Sequence, residues 1–181
     1  TESAGLESLT DQNTRGGVFF EADNDGDLDL LIPFPLSFFL NNGDGTFTEA
    51  TATSGLALIG GQTSIADYDN DGFLDFATGG NSPNEIPTKL HRNTGGGNHF
   101  LRVELVGVES NRSAIGARLR ATAGDRVQTR QLLGSLGTSQ YELSAHFGLG
   151  SANAVDQLEI RWPNGLVETF ADIPADREIR I

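Results

Sequence analysis

Nine carboxylates crowd into two nine-residue stretches of this chain, Glu21-Ala22-Asp23-Asn24-Asp25-Gly26-Asp27-Leu28-Asp29 and Asp67-Tyr68-Asp69-Asn70-Asp71-Gly72-Phe73-Leu74-Asp75. Both stretches place acids at positions 1, 3, 5 and 9 and glycine at position 6. Like charges this close repel one another and oppose folding unless a cation sits among them. A hard divalent ion takes about six to eight oxygen ligands, which an alternating acidic loop bent at a glycine supplies. Side chains at positions 1, 3 and 5 of a curled loop converge, position 7 offers its carbonyl, and position 9 closes the shell. The spacing therefore predicts two calcium ions. One is held by Glu21, Asp23, Asp25, the Asp27 carbonyl and Asp29, the other by Asp67, Asp69, Asp71, the Phe73 carbonyl and Asp75. An Asp-Asn-Asp-Gly hairpin held by side-chain hydrogen bonds is the plainer alternative. Two copies with identical offsets favour the metal.

The elements around the loops decide which kind of calcium loop this is. An acid at position 9 comes earlier than the position-12 glutamate of a helix-flanked loop. The segments that leave the loops, Leu28–Ile32 and Phe73–Ala77, are apolar and partly alternating, as in strands. The loops are expected inside a β framework, not between helices.

Composition agrees. Glycine is abundant at 23 of 181 residues, and strand formers recur in short runs between turn signals, which points to an all-β chain. No apolar run approaches a membrane span. The absence of cysteine leaves the redox compartment open. Without an initiator Met or a signal peptide, the sequence reads as a mature or excised chain. The net charge of −13 is concentrated in one half: residues 1–88 carry fifteen acids and one base, residues 89–181 ten acids and eleven bases. So acidic a first half excludes nucleic acid, whose phosphates demand clustered Lys and Arg. The compositions change near Thr94-Gly95-Gly96-Gly97, which sets expected domains at 1–94 and 95–181.

The two acidic loops start 46 residues apart, a period found in β-propeller blades. Thr1–Leu6 and Thr51–Leu56 precede them with matching Gly-Leu ends; Phe39–Phe47 and Leu90–Gly95 come after them with related Asn-Gly turns. On these residues, segment 18–56 resembles the FG-GAP/VCBS repeat, with its acidic loop, strand and Asn41-Asn42-Gly43-Asp44-Gly45-Thr46-Phe47 turn. Asn98–Ile181 resembles the ASPIC/UnbV domain, through Ser110–Arg118, Ala145–Gly150 and Val155–Gly165. The order of the two is that of the cartilage-acidic-protein-like family. The resemblance implies a secreted, calcium-binding, adhesive or matrix protein without established catalysis. Such proteins carry many repeats, whereas this chain has two loops.

In the second half, Phe100–Val106, Ala117–Thr122, Val127–Leu132, Gln157–Trp162 and Val167–Phe170 alternate as half-buried strands. With Pro163-Asn164-Gly165 as a hairpin turn, they predict a β-sandwich or jelly-roll-like module after two propeller-blade-like repeats. Arg118, Arg120, Arg130 and Arg161 are assigned to its polar face, and the glycine-rich His146–Gly150 to a turn. His91, His99 and His146 lack the close spacing of a zinc site. Trp162 is the candidate for stacking a sugar, against an ordinary place in the core. Asn111-Arg112-Ser113 is a formal glycosylation sequon.

The leading functional reading is an extracellular calcium-binding structural or adhesive protein, secreted or on the cell surface, with cell-surface or matrix partners. A glycan-binding module resting on Trp162 is the alternative. A hydrolase fits less well, because consecutive loop ligands leave no open cleft between a carboxylate pair. No enzyme activity is expected. Two repeats cannot close a propeller, and the chain starts inside a repeat. Unpaired strand edges in the acidic half therefore imply either a fragment of a longer array or a homo-oligomer, at the limit a homopolymeric filament.

Overall fold

A computed structural model describes residues 4–9, 16–56, 62–79, 88–134 and 140–181. The opening Thr1–Ser3 of the repeated Gly-Leu turn lies outside them. Among the described residues, fifteen strands and a 3-10 turn at Glu7–Leu9 make up the regular structure, and no α-helix occurs. The protein is all-β.

The first sheet runs β1 (Val18–Phe20), β2 (Asp29–Pro33), β3 (Leu36–Asn41), β4 (Phe47–Glu49) in spatial order, every pairing antiparallel. This is the four-stranded meander of a propeller blade. A second sheet contains β5 (Gln62–Ala66), β6 (Asp75–Gly79) and β7 (Lys89–His91), again antiparallel. Strand β2 is buried along its whole length because it has a core on each face. Leu31 packs with Phe20, Phe38, Ile65 and Phe76 between the two sheets, while Leu30 and Ile32 pack with Phe39 on the far side. The Gly-Leu turns repeat in conformation as in sequence: Gly5 and Gly55 have φ of 73° and 72°.

The second half builds two further sheets. One orders β10 (Arg126–Gln131), β9 (Arg118–Ala123), β13 (Ala154–Arg161) and β14 (Val167–Pro174). The other orders β12 (Ser144–Gly150), β8 (His99–Glu104) and β15 (Arg177–Arg180), the last parallel to β8. They enclose one core, in which Leu119, Leu158 and Ile160 from the first meet Leu101, Val103 and Phe147 from the second. Each such side chain, once buried, contributes about 1.5–3 kcal/mol. This is a sandwich, and β9 shows the reason: Leu119, Ala121 and Ala123 face inward while Arg118 and Arg120 face water.

Two features depart from the sequence-based expectation. Residues 146–150 form no turn; they are most of β12, with a β-bulge at Gly148–Gly150. Glycine at 148 answers a close approach of the first acidic loop, whose Asn24 Cα would lie 2.7 Å from an added Cβ. The edge of the second repeat is also not bare: β11 (Gln140–Tyr141), from the second half, pairs in parallel with Ser64 and Ile65 of β5. The pairing expected from a neighbouring copy is supplied at this edge by the chain itself.

Candidate metal centre

The second loop brings the carboxylates of Asp67, Asp69 and Asp71 together, with one oxygen of each within 4.8 Å of the others. Gly72 makes the bend at φ 90°, preceded by Asn70 at φ 59°. Asp67 accepts the amides of Asp71 (3.1 Å) and Gly72 (3.0 Å), which curls the loop around its first carboxylate. Asp71 accepts the Phe73 amide at 3.0 Å. Asp69 Oδ2 meets Arg92 Nε at 2.6 Å, and the same guanidinium reaches Asp71 at 3.2 Å. The other Asp69 oxygen, Oδ1, is buried and takes no hydrogen bond. A buried carboxylate oxygen without a donor is costly unless something else coordinates it. An all-oxygen set with one such atom suits a hard cation.

The first loop has the same bend, with Asn24 at φ 61° and Gly26 at φ 100°. Its carboxylates do not converge as those of the second loop do; among the described residues Asp67, Asp69 and Asp71 alone form such a group. Glu21, 1% exposed, accepts the Gly26 amide on Oε2 (3.2 Å) and Arg130 Nη2 on Oε1 (2.5 Å). Asp23 and Asp25 each accept the amide two residues on, at 3.1 and 2.8 Å. Asp27 pairs with Arg126 at 2.9 Å. Burial pushes the Glu21 carboxyl up to about 7, against the opposing pull of Arg130.

A pair of asparagines, read in the sequence only as parts of turns, frames both loops. The position-9 acids Asp29 and Asp75 are buried. Asp29 accepts the amides of Ala22 and Asn41, both at 2.9 Å; Asp75 accepts those of Tyr68 (3.1 Å) and Asn93 (2.7 Å). In return Asn41 donates its side-chain amide to the Leu28 carbonyl and Asn93 to that of Leu74. Each position-9 acid thus ties the loop to the strand end beyond it. Burial raises both carboxyls, Asp29 to about 7, while the donated amides lower them. The signal was present: each asparagine is followed two residues later by a positive-φ glycine, Gly43 or Gly95.

Residues 21–78, spanning both loops, match the model of the FG-GAP-like repeat, and residues 107–181 match that of ASPIC and UnbV. Segment 21–78 is thus an FG-GAP-like repeat region and segment 107–181 an ASPIC and UnbV domain. FG-GAP repeats are typical of extracellular or cell-surface proteins and commonly bind calcium. A comparison with curated proteins gives no match.

The sandwich of the second half and the segment leading into it lie directly against both loops. The Phe100 ring covers Gly72, where a Cβ would sit 2.0 Å from the ring. Arg102, buried, reaches the Asn70 side chain at 2.9 Å, Asp67 Oδ2 at 3.4 Å, Glu142 at 3.7 Å and, more closely, Glu178. On the first loop, Asn98 donates to the Asp23 carbonyl (2.9 Å), the Gly150 amide to that of Asn24 (2.8 Å), and Arg126 to that of Asp25. Asn24 itself is fully buried and donates to the Gly72 carbonyl at 2.9 Å, linking the loops. That bond fixes its side-chain oxygen as the acceptor for His146 Nε2 at 2.8 Å.

The remaining candidates separate. Trp162 is buried in the sandwich core and donates Nε1–H to Glu168 at 2.5 Å, so its ring offers no face to a sugar. His91 stacks on Phe76, His99 pairs with Asp176, and His146 stacks on Phe100. No zinc set forms from them among the described residues. Arg130 leaves the polar face for Glu21, and its Nε donates to the His146 carbonyl. Asn111 bonds Ile115 through both ends of its side-chain amide, bracing the Asn111–Ile115 loop.

Proposed function

We propose that this chain is an extracellular calcium-binding structural or adhesive protein without catalytic activity. The observation that carries the reading is the second loop: three converging carboxylates, one of them with a buried oxygen that no hydrogen bond satisfies. Asp67, Asp69 and Asp71 would hold the ion through side chains, Asp75 and the Phe73 carbonyl completing the shell. A bound divalent cation supplies charge neutralisation there and fixes the loop between β5 and β6. Dissociation constants of extracellular modules lie at about 10⁻⁴–10⁻³ M, which fits calcium-rich surroundings outside a cell.

The test is thermal unfolding in calcium and in chelator. At tenfold the dissociation constant one site stabilises the fold by about 1.4 kcal/mol. For a chain of this size that is about 3–6 °C in Tm. Asp69→Asn should abolish the difference. Equal melting in calcium and in chelator would defeat the proposal.

A further inference from the structure

The two acidic stretches are near copies in sequence, but their surroundings differ in where the counter-charge sits. At the second loop Arg92 bridges Asp69 and Asp71 with 55% of its side chain exposed, so an arriving cation displaces it into water at little cost. Arg102 also approaches Asp67, yet it shares its charge with Glu142 and Glu178. At the first loop the counter-charge is Arg130, whose side chain is 17% exposed, on a Glu21 side chain that is 1% exposed. A cation taking Glu21 would leave that guanidinium buried without its partner, the costly way to break an ion pair.

The first loop is also spoken for by backbone contacts. The carbonyls of Asp23, Asn24 and Asp25 accept from Asn98, Gly150 and Arg126 of the second half. Strand β12 lies so close that a Cβ on Gly148 would stand 2.4 Å from Glu21 Oε2 and 2.6 Å from the Asn24 carbonyl carbon. The longer side chain at position 1 has a physical use here: Glu21 spans from the Gly26 amide to Arg130.

We infer that the first acidic loop is the seat on which the ASPIC and UnbV domain docks, with Arg130 in place of a metal, and that the chain binds one calcium ion, in the second loop. The inference rests on the calcium reading of that second loop. It replaces the two-ion expectation drawn from spacing.

The position-6 glycines report on each loop separately, because Gly26 and Gly72 both donate their amides to the position-1 carboxylate. The full chain, labelled with ¹⁵N, is titrated with calcium chloride and the two amide resonances are followed. The Gly72 resonance should shift and saturate while that of Gly26 stays within line width. Asp71→Asn should weaken the transition by about tenfold or more, and Asp25→Asn by less than about twofold. Saturating shifts at both glycines, or a transition abolished by Asp25→Asn, overturn the single-site assignment and leave the calcium reading standing. No shift at either glycine in millimolar calcium overturns the calcium reading and this inference with it.

Discussion

Gly148→Ala tests whether β12 rests on the first acidic loop. The glycine lies in β12 opposite Phe100, and its carbonyl accepts Gln128 Nε2 at 2.5 Å. Neither feature needs a glycine, and its φ lies outside the positive region where glycine is favoured. The demand comes from the first loop. An added Cβ would meet Glu21 Oε2 at 2.4 Å, the Asn24 carbonyl carbon at 2.6 Å and the Asn24 Cα at 2.7 Å. Two of these are backbone atoms in a loop held by three bonds from the second half, so a rotamer change cannot relieve the contact. Overpacking of this kind costs about 1–3 kcal/mol. That is a fall of about 2–12 °C in Tm for a chain of this length. Differential scanning calorimetry in saturating calcium measures it. Gly79→Ala, at a glycine with nothing within 4 Å of the added carbon, is the control. If Gly148→Ala melts with the control, β12 does not rest on the first loop and the docking geometry is wrong.

Arg130→Met should destabilise the fold by about 3–5 kcal/mol, because Glu21 is left buried without its partner. Adding Glu21→Gln should recover much of that loss in urea unfolding; a double variant as unstable as the sum of the single changes would refute the pairing. His146 gives a pH signature. Burial, aided by Arg130 and Arg102, depresses its imidazole to about 3, so the unfolded chain takes up a proton below about 6.5 that the folded chain refuses. Its contribution is complete above that value and is lost as pH falls toward 3. His146→Gln should therefore lose less stability than wild type between pH 7 and pH 5, and parallel losses in the two proteins would count against a neutral, buried ring.

The sequence made the local features legible. Carboxylates at fixed offsets and a glycine at position 6 need no knowledge of the rest of the chain, and period-two alternation located β8, β9, β10, β13 and β14 to within a few residues. Two kinds of information were not local. Glycine in His146–Gly150 suggested a turn, whereas Gly148 is required by a loop more than a hundred residues earlier. The arginines were equally opaque. Arg130 alternates like a surface residue in β10, and nothing near it in sequence announces Glu21, 109 positions away. Spacing alone therefore made the two loops look equivalent, because neither the buried Arg130 at the first nor the exposed Arg92 at the second can be read from the loop residues themselves.

The pairing of β11 with β5 has a bearing on how the protein is made. Ser64 and its partner Gln140 are 76 residues apart, and the ribosome delivers β5 first. At about 5–20 residues per second, that stretch takes about 4–15 s to emerge. Throughout that interval the β5 edge of the second sheet lacks its β11 partner, in the form most prone to join another chain. Slow translation between residues 66 and 140 would prolong the exposure, so production of this protein should be sensitive to codon choice and temperature over that interval in particular.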